Sequence, residues 1–294
     1  MLRKFNLTGS YIDALVTAAI CLSNVPFQVL AHGDLHEQIL GLTQRIQTNS
    51  SNADLWLRRA DLFRNHGELA KAADDTETAL KLRPGWAVAQ LERARIQFDA
   101  GQFATAADSA TKSLRDNPAN SDALVLRARS RVQIGQLSEA VEDFNRVLTL
   151  ANGPQPLPDL YLERARALAA LGHIAEAIRG LDEGTSRLGE TPSLILPALE
   201  YERSLGDFAA ALKRVERSRL CFPAESFLTL RGEVLLQADR PSEAQMDFLA
   251  ALAAIENYPP ARLELQQTQE LKSRLNHGLQ RLKNHSDKTS TLEK

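Results

Sequence analysis

Leu126 to Leu148, LRARSRVQIGQLSEAVEDFNRVL, reads as two short amphipathic helices joined by a sharp turn at Gly135. Before the turn, Leu124 and Ala128 share one face. After it, Leu137, Ala140, Phe144, Val147 and Leu148 follow at spacings of three and four, the period of a helix. Helices this short cannot keep an apolar face dry alone, so the stretch predicts similar pairs on either side.

The similar pairs are there. The turn glycine recurs at Gly67, Gly101, Gly135, Gly172 and Gly206, separated by 34, 34, 37 and 34 residues. An alanine follows each by five residues: Ala72, Ala106, Ala140, Ala177 and Ala211. A sixth copy has Ala244, with Asp239 in the glycine place; a reversal there needs positive φ, which Asp is among the few residues to tolerate. Pro84, Pro118 and Pro223 close three copies by stopping the second helix. In the first copy Trp56, Ala60, Phe63, Gly67, Ala72, Ala79 and Pro84 complete a signature. The pattern resembles the tetratricopeptide repeat (TPR) family, whose period is about 34.

That resemblance implies an all-α fold, a right-handed superhelical solenoid of six helix–turn–helix repeats at 53–86, 87–120, 121–157, 158–191, 192–224 and 225–256. The chain departs from the pattern at Pro197, predicted to kink its helix or delay its start. The junction ANGPQPLPD, residues 151–159, carries three extra residues. Capping helices are expected at 32–52, with Leu35, Ile39, Leu42 and Ile46 on one side, and at 257–284. The second is expected as one helix from Pro260 to Leu282 with Leu271, Leu275 and Leu279 on its apolar side. Residues 285–294 are polar and aperiodic and read as a disordered tail.

Residues 1–31 stand apart from the repeats. Arg3 and Lys4 precede an apolar run, Ala14 to Leu22, and the stretch ends in Val29-Leu30-Ala31, the order of a secretion signal cleaved after Ala31. The expected location is therefore periplasmic or extracellular. The alternative is a membrane anchor left uncleaved, against which stand Asp13, Asn24, Pro26 and Gln28. Cleavage would leave Cys221 as the one thiol, so no internal disulfide is expected, and its place before Phe222-Pro223 reads as buried and structural. With 35 basic and 37 acidic residues the chain lacks the cationic surface that nucleic acid requires.

Arginine recurs just before the small residue of the first helix in five of the six repeats, at Arg59, Arg93, Arg127, Arg164 and Arg231. Sixteen residues on stand Asp75, Asp143 and Asp247, which predicts the ion pairs Arg59–Asp75, Arg127–Asp143 and Arg231–Asp247 between the two helices of a repeat. The family resemblance further implies a groove lined by the first helices. Applied here it places Leu91, Arg95, Val125, Arg129, Leu162 and Arg166 there, with Phe98 and Val132 beside them. Such a groove suits a segment of another protein carrying carboxylates and apolar anchors. The competing reading is that these arginines pair with neighbouring acids such as Glu92.

No phosphate-binding loop, serine elbow or zinc-protease pair appears, so the expected role is a non-catalytic protein–protein interaction scaffold without a cofactor. Two alternatives stand beside it. His32, the amino terminus after cleavage, and His36 form a weak candidate metal site, which would make this a metal-handling or catalytic protein. Self-assembly through the end caps would make it an envelope scaffold.

Overall fold

The computed structural model describes residues 27–150 and 157–292. The expected secretion signal lies outside the described residues as far as residue 26, and the extra residues 151–156 of the long junction lie outside them too. The fold is all-α, with no strand among the described residues. The chain forms two compact units that divide at the Gly135 turn, residues 1–134 and 135–294.

The first unit contains α1 (Phe27–Thr48), α2 (Ala53–Asn65), α3 (Leu69–Leu82), α4 (Ala87–Asp99), α5 (Phe103–Ser113) and α6 (Ser121–Gln133). Asn52 caps α2 by accepting from the Asp54 amide, and Asn120 caps α6 by accepting from that of Ala123. The pairs α2–α3 and α4–α5 turn at Gly67 (φ 85°) and Gly101 (φ 73°). At each turn the residue after the glycine donates back to the carbonyl five residues earlier, Glu68 to Phe63 at 2.8 Å and Gln102 to Gln97 at 2.8 Å. The glycine amide bonds the carbonyl three residues back, completing a Schellman stop. Ala60, Ala72, Ala94 and Ala106 have zero exposure, so each helix pair closes on methyl groups.

The second unit begins with α7 (Leu137–Thr149), followed by α8 (Pro158–Ala170), α9 (Ile174–Leu188), α10 (Pro192–Ser204), α11 (Phe208–Arg217), α12 (Ala224–Gln237) and α13 (Pro241–Glu256). Gly172 and Gly206 repeat the stop, and Asp239 takes the same left-handed place at φ 56°. Pro197 sits within α10 without delaying it: Pro192 opens that helix at a position where proline's missing N–H is harmless. In the last pair Gly232 holds the small-residue place. A Cβ there would come within 2.5 Å of the Phe248 ring, and one at Gly278 within 2.6 Å. Phe248 is thus held between two glycines.

The C-terminal cap differs from the single helix expected. It is a one-turn α14 (Pro260–Leu263) followed by α15 (Gln266–Leu292), with the Leu263 carbonyl satisfied by the Gln269 amide at 2.6 Å. Leu275 and Leu282 of α15 are buried against the Phe248 cluster, with Leu271 and Leu279 partly so. The helix continues to Leu292, through the polar residues read as a tail. At the other end α1 starts at Phe27, inside the stretch read as a secretion signal.

The recurrent arginines tie more than one helix. Arg59 grips Asp75 with two bonds, at 2.6 and 2.8 Å, and its third nitrogen donates to Thr43 of α1 at 3.0 Å. Arg231 grips Asp247 at 2.7 and 2.6 Å and reaches back to Glu216 at 2.6 Å. Arg93 lies 3.7 Å from Glu77, and Arg127 donates to Thr111 at 3.2 Å, each partner sixteen residues earlier. Arg127 and Asp143, expected as a pair, belong to different units. Arg164 has Gly180 where an aspartate would stand. A Cβ there would lie 3.0 Å from its guanidinium, so glycine makes the room. Arg164 instead bonds Glu183 at 2.8 Å and Asn145 at 3.0 Å, each nineteen residues away.

At the C-terminal end of the second unit the Tyr258 phenol donates to the buried carboxylate of Glu225, and Arg262 lies 3.6 Å over its ring. Burial, then the hydrogen bond to Glu225 and its charge, push the phenol up to about 12.

Three outcomes follow from these packing relations. Gly101→Ala lowers unfolding free energy by about 1 kcal/mol in a urea titration, because a Cβ there meets nothing and the cost is that of the left-handed backbone alone. Asp75→Ala costs about 3 kcal/mol by the same measurement, since it strands the mostly buried Arg59. Glu225→Gln brings the Tyr258 absorbance titration down toward the ordinary tyrosine value. The neutral phenol is the form the fold favours, so its stabilisation is full below the unfolded pKa and lost as pH rises through about 12.

Candidate functional site

The first unit holds an open cavity of about 680 Å³ between α1, α2 and α4. Helical spacing places its lining. Gln38, Gly41, Leu42 and Arg45 follow at intervals of three, one and three along one face of α1. Leu57, Arg58, Asp61 and Leu62 come from α2, and Val88, Glu92 and Arg95 from α4 at intervals of four and three. Gly41 has open space where a side chain would stand, which keeps the α1 wall low. Leu57 is a buried floor, whereas Val88 is 58% exposed and presents an isopropyl group to solvent on the rim.

The charges in this groove fall into two sets. Glu92, only 4% exposed, accepts from Arg64 at 2.7 Å and from Arg95 at 3.4 Å. Arg64 also bonds Asp61 at 2.9 Å and Asp99 at 3.3 Å, and Arg95 bonds Asp122 of α6 at 2.9 Å. Burial works against the charge on Arg64, but hydrogen bonds to Glu92, Asp61 and Asp99 outweigh it and hold its pKa above the ordinary value. These groups, two arginines among four acids, lock α2, α4 and α6 in register. Arg45 and Arg58 form the second set. Both are exposed, and neither has a side-chain hydrogen bond or ion pair with any described residue.

This distribution revises the sequence reading of the groove. Leu91 is 6% exposed and belongs to the core. Arg95 is committed to Glu92 and Asp122, the competing reading of that residue. Phe98 is half-buried, its ring edge-to-face with Phe103 at 5.2 Å. Val125 and Val132 are half-buried on α6, where Arg129 is exposed and engaged. Leu162, half-buried, and Arg166, exposed, lie on α8 in the second unit. Arg45 and Arg58 were not picked out from sequence, because Arg45 precedes the repeats and Arg58 is one place from the recurrent Arg59. The signal that could have found them is helical: Arg45 is three residues from Leu42, and Arg58 is three from Asp61.

The other candidates do not form a site. His36 is exposed on α1, and the side chain of His32 lies outside the described residues. Among the described residues no group of three or more His, Cys, Asp or Glu is placed to hold a metal ion. Cys221 is partly exposed in a short 3₁₀ turn rather than buried. Partial burial and the Glu190 carboxylate beside it push its thiol up, away from the reactive thiolate. No helix of the described residues is long and apolar enough to cross a membrane.

Residues 91–156 match the family model described as Tetratricopeptide repeat. That segment carries tetratricopeptide repeats. Two solved TPR structures share the fold at low sequence identity. One is a tetratricopeptide repeat protein from Parabacteroides merdae, 19% identical, covering 86% of this chain and 95% of its own, with a TM-score of 0.52. The other is the C-terminal part of a TPR repeat-containing protein from Cytophaga hutchinsonii, 14% identical, covering 79% and 95%, with a TM-score of 0.62. No curated protein matches the sequence. In this TPR chain the groove charges divide between those that hold the fold and those that do not.

That division has a measurable consequence. Glu92→Ala lowers unfolding free energy by about 3 kcal/mol, since Arg64 and Arg95 lose a buried acceptor. Replacing Arg45 and Arg58 together by Gln changes it by no more than about 0.5 kcal/mol.

Proposed function

We propose that this chain is a non-catalytic interaction module that takes a segment of another protein into the groove between α1, α2 and α4. The observation that carries the reading is the exposed apolar rim at Val88, set beside Leu42 and Leu62 in an open cavity of about 680 Å³. An apolar side chain left in water inside a concave wall gains by being covered, and a groove of this size accepts several side chains of a segment. The TPR fold supports the same reading, since stacked helix pairs offer an extended surface without chemistry of their own.

The test compares proteins retained by immobilised wild type with those retained by Val88→Asp. Val88 is too exposed for this change to unfold the chain, and its melting temperature serves as the check. Partners that use the groove are lost from the Val88→Asp column and kept on a column bearing Arg179→Asp in the second unit. Equal retention on all three columns contradicts the reading.

A further inference from the structure

The outward face of α13 departs from its counterparts in the other repeats. We propose that this face joins two copies of the chain in a reversible dimer, α13 lying antiparallel on α13 about a twofold axis. The proposal uses none of the groove residues and stands apart from the reading of the groove.

The second helices of the six repeats align on their buried alanines, Ala72, Ala106, Ala140, Ala177, Ala211 and Ala244. Two residues on stand Asp74, Asp108, Glu142, Arg179 and Lys213, all charged and exposed. In α13 that place holds Met246, 64% exposed. Five residues on stand Glu77, Thr111, Asn145, Asp182 and Glu216, all polar. In α13 that place holds Leu249, 51% exposed. Ala250 and Ala253, both exposed, complete the face where the first repeat has Thr78 and Lys81. Met246, Leu249, Ala250 and Ala253 form one stripe at steps of three, one and three. No charge interrupts it: Asp247 is buried on Arg231, Glu243 is held by Arg240, and Glu256 stands at the end of the helix. Five repeats meet water here with polar side chains, so the fold does not require an apolar stripe. Such a stripe gains by being covered.

The order of residues along the stripe says what covers it. The two large side chains lie toward the start of α13 and the two alanines toward its end. A second α13 laid antiparallel sets Met246 on Ala253 of the other copy and Leu249 on Ala250 of the other copy. All four contacts then place a large side chain on a small one, and each copy uses the same patch. A parallel pairing would crowd methionine on methionine and leave a gap between alanines. The antiparallel register also brings Glu256 of one copy beside the Arg240–Glu243 pair of the other, where two acids share one arginine. That repulsion weakens the dimer. One helix on another also covers less than the roughly 1,200 Å² of a lasting interface, so the association is reversible.

The experiment is sedimentation equilibrium of the full chain from micromolar to submillimolar concentration. Wild type is expected to pass from monomer toward dimer, and Glu256→Gln to tighten the association. Met246→Lys, which gives α13 the residue of the preceding repeat, and Ala253→Glu each weaken it about tenfold. Both positions are exposed, so melting temperatures hold and report an intact fold. Met246→Lys and Ala253→Glu in one chain restore the dimer, because the register sets each lysine against a glutamate of the other copy. If the lysine variant melts early, Met246→Gln gives the same reading. A chain that stays monomeric throughout overturns the proposal, as does a dimer that neither single substitution weakens, such as one joined through the end caps. Loss in both single variants without recovery in the double variant overturns the antiparallel pairing and the proposal with it.

Discussion

Each helix pair closes on side chains no larger than a methyl group. Ala60, Ala72, Ala94 and Ala106 have no exposure in the first unit, as have Ala165, Ala177, Ala198 and Ala211 in the second. Small side chains let backbones approach, and a close approach leaves no room for water between the helices. Where alanine is absent the constraint is tighter still, with Gly232 beneath the Phe248 ring. The turn glycines serve this contact by reversing the chain within a single residue of positive φ. Beside two of these small positions an arginine reaches over the contact: Arg59 and Arg231 each grip an aspartate in the following helix and a second group in the preceding one. Buried charges of this kind add geometry more than net stability, since desolvation offsets most of their attraction.

The groove is what remains once this packing is complete. Helices α2 and α4 bury Ala60 and Ala94, and α1 buries Ile39 and Ile46, which leaves a second set of positions facing the cavity. Some of these still serve the fold. Arg64 of α2 bonds Glu92 and Asp99 of α4, and Arg95 of α4 bonds Asp122 of α6, so these charges hold register and are already satisfied. Arg45, Arg58 and Val88 are different, because their side chains face water and neither arginine bonds a described side chain. Residues that do nothing for folding, gathered in one concavity, are the places where recognition can be written without penalty to stability.

Sequence spacing made the helix pairs, their turns and their alanines legible, because each follows from a backbone requirement that recurs with the repeat. The sixteen-residue step from Arg59 to Asp75 and from Arg231 to Asp247 was readable for the same reason. Their backward partners, Thr43 and Glu216, were not, since hydroxyl and acid share no residue identity that a pattern could repeat. Leu91 and Phe98 were expected in the groove by family position and do not line the cavity, whereas Arg95 lines it but is already paired. Whether a side chain at such a position is free depends on which acids stand across the gap, and Asp122 is twenty-seven residues from Arg95. The break between α14 and α15 was hidden because Leu271, Leu275 and Leu279 keep a helical period regardless of what precedes them.

The most direct measurement of the account is amide hydrogen exchange on the full chain, free and with a captured segment bound. The account predicts slowed exchange along α1, α2 and α4, with α3 and α5 unchanged, because the occupant lies on the walls of the cavity and the helix-pair contacts are already dry. Protection concentrated on α3 and α5, with α1, α2 and α4 exchanging as in the free chain, would contradict it.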